Sequence, residues 1–185
     1  MRAICVAVLA GGVVVAADKP GDGRAVAGRE VVTLGGVTVA VNQVGLYPVF
    51  WRQAGERYEG TDDKRCLMLA ITVSTADPTK KVNYQPWRHA AGVKAVDKFG
   101  NEYEVKREQA GQTFADSATG KVVVSKGVPA ADRVYFEAPI GAAEFIDVDL
   151  PGEAVGAKGE TFRFRVTREA WSPAPPPKKG LAKKK

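Results

Sequence analysis

Short runs in which apolar and polar residues alternate follow one another along most of the chain, separated by turn residues. Val31-Val32-Thr33-Leu34 stops at Gly35-Gly36, and Val37, Val39 and Val41 then share one face of a second run. A period of two marks a strand with one face buried. Residues 65–74 make the strongest run. Leu67, Leu69, Ile71 and Val73 lie on one face, Cys66, Met68, Ala70 and Thr72 on the other. Two largely apolar faces predict a central strand covered on both sides.

Further strands are expected at residues 81–84, 121–125, 133–137, 144–150 and 161–167. In the last of these Phe162, Phe164 and Val166 oppose Arg163 and Arg165. Residues 93–96 and 102–105 flank Asp97-Lys98-Phe99-Gly100-Asn101, which reads as a hairpin. Residues 47–60 read as a polar, aromatic loop, and a short helix over 109–118 is an alternative to irregular chain. Roughly eight to ten short strands with no helical period between them predict an all-β, antiparallel sandwich. Nothing encodes the even strand lengths of a closed barrel.

The two ends differ from this body. Arg2 precedes an apolar run over residues 3–15, and Val15-Ala16-Ala17 presents small residues before Asp18-Lys19-Pro20. The run is too short to stay in a bilayer, so residues 1–17 read as a secretory signal peptide. Residues 18–29 read as a flexible leader, 30–170 as the sandwich, and 171–185 as a disordered tail rich in Pro and Lys.

Charge follows the same division. All 21 acidic residues lie between Asp18 and Glu169, whereas Arg2, Lys178, Lys179, Lys183, Lys184 and Lys185 account for the net +6. The body is neutral, which argues against a nucleic-acid-binding face. Cys5 falls in the signal, so no internal disulfide is expected, and Cys66 is best read as a small buried residue.

Several segments taken in order resemble the DUF4352-type immunoglobulin-like domains of secreted, planctomycete-like bacterial proteins. These are residues 67–74, Lys80-Lys81-Val82-Asn83-Tyr84 with Trp87, residues 96–103 with Asp97, Gly100, Asn101 and Tyr103, and Lys126-Gly127 before residues 132–139. The resemblance spans about residues 37–166, and Ser125-Lys126-Gly127 lacks the proline usual at that turn. It implies an antiparallel immunoglobulin-like β-sandwich in an envelope or extracellular setting, and it brings no catalytic residues.

The residues offer little catalytic chemistry. His89 is the only histidine and has no acid beside it in sequence, so a nucleophilic triad and a zinc site both lack parts. No glycine-rich phosphate loop follows a strand. Asp62-Asp63 and the Asp97 turn contain carboxylates suited to calcium, but Asp97 reads more simply as an acceptor for turn amides.

The expectation is therefore a non-enzymatic, extracytoplasmic structural or interaction module, free of cofactor and metal, in periplasm, envelope or medium. Its partner would be an envelope protein or glycan. Trp51, Tyr58, Tyr84 and Trp87 are the candidate ligand contacts, since aromatic loops at a sandwich end stack on sugars or grip peptides; the plainer reading has Trp51 and Trp87 plugging the open ends of the core. The five tail lysines, held off by Pro173 and its neighbours, would touch polyanions weakly. The competing expectation is a carbohydrate-active hydrolase with Glu144, Asp147 or Asp149 as acid and base.

Overall fold

The computed structural model describes residues 13–15, 24–28, 30–59, 65–108 and 111–172. In chain order its elements are β1 (Val13–Val15), β2 (Ala25–Val26), β3 (Glu30–Leu34), β4 (Val37–Tyr47), β5 (Phe50–Gln53), β6 (Glu56–Glu59) and β7 (Cys66–Ser74). There follow β8 (Val82–Tyr84), β9 (Lys94–Asp97), β10 (Thr113–Phe114), β11 (Val122–Val124), β12 (Ala130–Phe136), β13 (Phe145–Pro151), β14 (Thr161–Thr167) and a single helical turn, α1 (Arg168–Trp171).

One sheet has the order β1-β3-β4-β7-β12 and the other β2-β14-β13-β9. Pairing is antiparallel except for β1 on β3 and β2 on β14. The first, second and fifth strands of an immunoglobulin-like sandwich correspond to β4, β7 and β12; the third, sixth and seventh correspond to β9, β13 and β14. The expected all-β sandwich is the fold.

The core lies where the period-two pattern places it. Leu67, Leu69, Ile71 and Val73 meet Ile146, Val148, Leu150, Phe162, Phe164 and Val166, all fully or nearly fully buried. Strand β4 keeps its apolar side chains on this core by a bulge. Val41 pairs with Ile71 and Gln43 with Ala70, so Asn42 is an extra residue. Without it Val44 and Leu46 would turn to the opposite face; with it they pair with Leu69 and Leu67.

The second face of β7 has its own cover. The segment read as a loop is a hairpin, β5 with β6, joined by β10 into a three-stranded sheet. Trp51 and Phe114 from this sheet pack with Cys66, Met68 and Tyr135, with ring centroids 4.8 Å apart for Trp51–Phe114 and 5.0 Å for Phe114–Tyr135. Cys66 is buried there, as expected. Thr113–Phe114 is a strand, so the helix considered for 109–118 does not form among its described residues.

The unit is wider than the sequence boundaries. Ala25 and Ala27 are buried, and β2 pairs with Phe164 and Arg165, so the leader's last residues belong to a sheet. Trp171, assigned to the tail, is 7% exposed and belongs to the main core. A large indole gains more from burial than a proline-rich extension gains from claiming it. Within the expected signal, Val13–Val15 pair in parallel with Glu30–Val32. The rest of that segment and residues 173–185 lie outside the described residues.

The β5–β6 turn supplies a test. Ala54 (φ 49°) and Gly55 (φ 89°) both have positive φ, as a two-residue hairpin of the mirror-image type requires. Alanine pays a Cβ penalty there that asparagine largely avoids. Ala54→Asn should raise stability by about 0.5–1 kcal/mol in denaturant unfolding; an unchanged midpoint would refute the assignment.

Candidate functional site

After β8 the chain meets Pro86 and makes one 3-10 turn, Trp87–His89, in which three successive side chains take three directions. Trp87 goes into the core. Its Nε1 donates to the Pro151 carbonyl at 3.0 Å, and its ring lies 5.1 Å from Tyr84 and 6.1 Å, edge-on, from Phe162. Arg88 enters a buried polar cluster. His89 reaches the surface, where its side chain is 40% exposed.

The Arg88 guanidinium is fully buried. Nη1 donates to Asp132 Oδ1 at 2.9 Å, Nη2 donates to the Ala118 carbonyl, and Nε lies 2.9 Å from Glu108 Oε1. Asp132 is as buried as Arg88; its second oxygen accepts the Tyr84 hydroxyl and its first also accepts the Arg133 amide at 2.9 Å. Glu108 Oε1 accepts the Phe114 amide at 2.9 Å, and Oε2 lies 3.1 Å from His89 Nε2. One chain of polar contacts thus runs from Tyr84 inside to His89 outside.

Burying both members of an ion pair costs several kcal/mol each unless the remaining lone pairs and protons are used. Both Asp132 oxygens are engaged, and Arg88 is approached from three sides. Burial pushes the Asp132 carboxyl above its ordinary range, and Tyr84 and Arg88 hold the ionised form against it. Burial, with the Asp132 charge added, drives the Tyr84 hydroxyl far up, so it serves as a donor.

His89 opens on a groove of about 520 Å3, lined by Gln85, Ala90, Ala91, Gly92, Pro151, Glu153 and Ala154. The opposite wall is a second 3-10 turn, Gly152–Val155. Gly152 is required there: a Cβ would sit 2.3 Å from the Ala157 carbonyl oxygen and 2.9 Å from that of Glu160. The Glu153 carboxylate is held below its ordinary range by backbone hydrogen bonds, among them one from Gly159. A rigid concave wall with an imidazole, an amide and a carboxylate suits binding of a polar ligand.

The expected contact residues divide unevenly around this site. Tyr84 and Trp87 are both 0% exposed, so neither is a surface contact; burial of large aromatic area and use of their polar ends inside decide this. Trp87 instead fixes the loop that forms the groove. Trp51 is half-buried under the β5–β6 sheet, opposite the 48% exposed Tyr58, whose hydroxyl donates to Glu56 at 2.6 Å. The four aromatics therefore form two pairs, and Tyr58 is the exposed member. The tail lysines, Asp62 and Asp63 lie outside the described residues.

His89 does have an acid: Glu108 arrives from nineteen residues away, a relation that no local pattern announces. Arg88 likewise carries no sequence signal, since a charge in a Pro-led turn reads as solvated. The carboxylates of the hydrolase reading are already paired. Asp147 accepts Arg165 through both oxygens at 2.8 and 2.9 Å and lies 3.2 Å from Arg24, which also donates to Asp149 at 2.5 Å. Glu144 is exposed and paired with Lys98.

The Asp97 turn forms as its side chain predicts. The carboxylate accepts the Phe99 and Asn101 amides at 2.8 and 3.0 Å, Asn101 Nδ2 at 2.8 Å and the Tyr103 hydroxyl at 2.8 Å. Burial raises this carboxyl, but the four donors outweigh it and hold it at about 2.

Two measurements check these assignments. Arg88→Ala leaves Asp132 buried and unpaired and should cost about 3–5 kcal/mol, against about 1.5–3 kcal/mol for Tyr84→Phe; equal, small losses in urea unfolding would contradict the buried cluster. Asp97, depressed in the folded state, stabilises above the ordinary carboxylate range near pH 4, and that contribution disappears as pH falls toward 2. Asp97→Asn should lower stability at pH 6 and flatten the decline between pH 4 and 2; an acid limb unchanged in slope would count against it.

No known protein family and no curated protein matches the chain. Among solved structures, the yjhA protein of Bacillus subtilis is similar at a TM-score of 0.49 and 13% identity, covering 77% of this chain and 98% of that one. An uncharacterised β-sandwich protein of Clostridium difficile 630 is similar at a TM-score of 0.45 and 12% identity, covering 78% of this chain and 93% of that one.

Proposed function

We propose that the chain is a non-catalytic, extracytoplasmic interaction module. Its partner, a glycan or protein of the cell envelope, sits in the groove beside His89, and the tail lysines add a salt-sensitive hold on polyanions. One observation carries this reading: His89 and Glu108, 3.1 Å apart, are the surface end of the buried cluster around the Arg88–Asp132 ion pair, at the rim of a groove of about 520 Å3. A polar group so braced presents fixed hydrogen-bonding geometry, which binding rewards.

The apolar run at residues 3–15 and the small residues at 15–17 support export, as does the resemblance to secreted immunoglobulin-like domains. The hydrolase alternative draws little from the geometry. Asp147 and Asp149 are neutralised by Arg24 and Arg165, and the most desolvated carboxylate, Asp132, has both oxygens engaged inside the core. Among the described residues, no helix is long and apolar enough to cross a membrane.

The test is to produce the full chain in a bacterium with a general secretion pathway and sequence the N-terminus of the product. It should begin at Asp18 and leave the cytoplasm. On envelope material from the source bacterium, His89→Ala with Gln85→Ala should weaken retention about tenfold, a loss of roughly 1.4 kcal/mol. Lys→Gln at the five tail positions should reduce only the salt-sensitive part. A cytoplasmic product beginning at Met1, or equal retention of the His89/Gln85 variant, would refute the proposal.

A further inference from the structure

Each outer edge of the two large sheets is covered by more chain. Along β9 lie residues 102–103, with Glu102 opposite Val96 and the Tyr103 amide donating to Ala95 at 2.9 Å. Along β12 lie residues 104–106, with Val105 opposite Phe136. Strand β2 covers β14, and β1 covers β3. Of these covers, only β1 (Val13–Val15) falls within the segment expected to be removed on export. Loss of residues 1–17 therefore uncovers β3 and none of the other edges.

The groups this exposes follow from the hairpin of β3 with β4. Gly35 (φ 52°) and Gly36 (φ 75°) form a two-residue turn, so Leu34 with Val37 is a hydrogen-bonded pair and Val32 with Val39 is the next. The main-chain groups of Val31 and Thr33 then point away from β4, toward the place that β1 holds. The residues after the expected cleavage point do not replace β1. Asp18-Lys19-Pro20-Gly21-Asp22-Gly23 contains no β-branched or aromatic residue, and its proline has no amide to donate.

An uncovered edge is a template for another strand, and β3 is self-complementary. Set antiparallel about a two-fold axis at Val32, Val31 of one copy faces Thr33 of the other, and their outward amides and carbonyls satisfy each other. Val32 faces its own counterpart and Glu30 faces Leu34, so no like charges oppose. The Glu30 carboxylate already accepts the Val26 amide of its own chain at 2.6 Å. The geometry points to β3 as a pairing edge that signal removal exposes, through which two copies of the processed chain join, β3 to β3, into one continuous sheet. This rests on the reading of residues 1–17 as a removed signal, and it uses no residue of the groove.

The experiment is sedimentation velocity, over increasing concentration, of the full chain and of a chain made directly from Asp18 onward. The main core begins at Ala25, so the shorter chain retains it. Its mass should rise about twofold, reversibly, as a two-fold dimer requires, while the full chain stays monomeric. In the shorter chain Val31→Pro removes an outward amide without touching the β4 ladder; it should restore the monomer mass and keep the thermal midpoint. Val32→Cys should join copies of the shorter chain by a disulfide under mild oxidation, because facing Cα atoms of such a pair stand about 4.5 Å apart, within disulfide reach. That cross-link decides the matter even if Val31→Pro fails to fold. A monomeric shorter chain, equal dimerisation of the full chain, or a dimer without the Val32→Cys cross-link would overturn the pairing. An exported product that begins at Met1 overturns the exposure step together with the export reading, whereas a monomeric shorter chain overturns the pairing alone.

Discussion

Strand β7 must hide both of its faces, and the architecture follows from that requirement. Leu67, Leu69, Ile71 and Val73 need an opposing sheet, which β13 and β14 supply. Cys66, Met68 and Ala70 need a second cover, which the small sheet of β5, β6 and β10 supplies through Trp51 and Phe114. A strand dressed on one side only would leave a row of apolar side chains in water, a loss of about 25 cal/mol per Å2. The bulge at Asn42 belongs to the same solution, because it keeps β4 in phase with β7 on the core side.

The second cover is attached by charge as well as by packing. Arg88 reaches from the end of β8 to Asp132 on β12, to Glu108 and to the Ala118 carbonyl, while Glu108 in turn fixes the Phe114 amide. A buried ion pair is a poor source of net stability but a strict one for geometry, since any displacement strands a charge in a poorly hydrated space. Here it joins β10, which bears Phe114, to the sandwich wall and leaves His89 as its exposed end. The polar chemistry of this end of the molecule thus largely holds shape, and what emerges at the surface is a positioned imidazole.

How much of this was readable depended on whether the signal was local. The alternation in residues 66–74, 145–151 and 161–167 directly encodes which side chains face the core, and all three strands form there. The Asp97 turn was legible for the same reason, because acceptor and donors lie within six residues. The β5–β6 hairpin was not. Ala54-Gly55 is a weak turn signal, and Arg52, Arg57 and Tyr58 look like loop residues until Phe114 arrives beside Trp51. The same holds for the site: Arg88, Glu108 and Asp132 are far apart in sequence, and only the fold makes neighbours of them. In the sequence Trp87 fits either a ligand contact or a plug of the core, because an aromatic carries no mark distinguishing core from cleft.

The second arm of the Asp97 hairpin pairs with the first as expected, Glu102 opposite Val96, and then crosses to the other sheet. The Tyr103 amide donates to Ala95 of β9 at 2.9 Å, and a few residues on, the Lys106 amide donates to Tyr135 of β12 at 2.7 Å while the Glu137 amide donates to Glu104 at 3.0 Å. One strap therefore occupies the last strand of each sheet. Bare rims are where β proteins recruit foreign strands and begin to aggregate. With both rims on this flank laced by the same few residues, the two layers are stitched into one wall, and any parting of the sandwich has to begin from the seam on the far side.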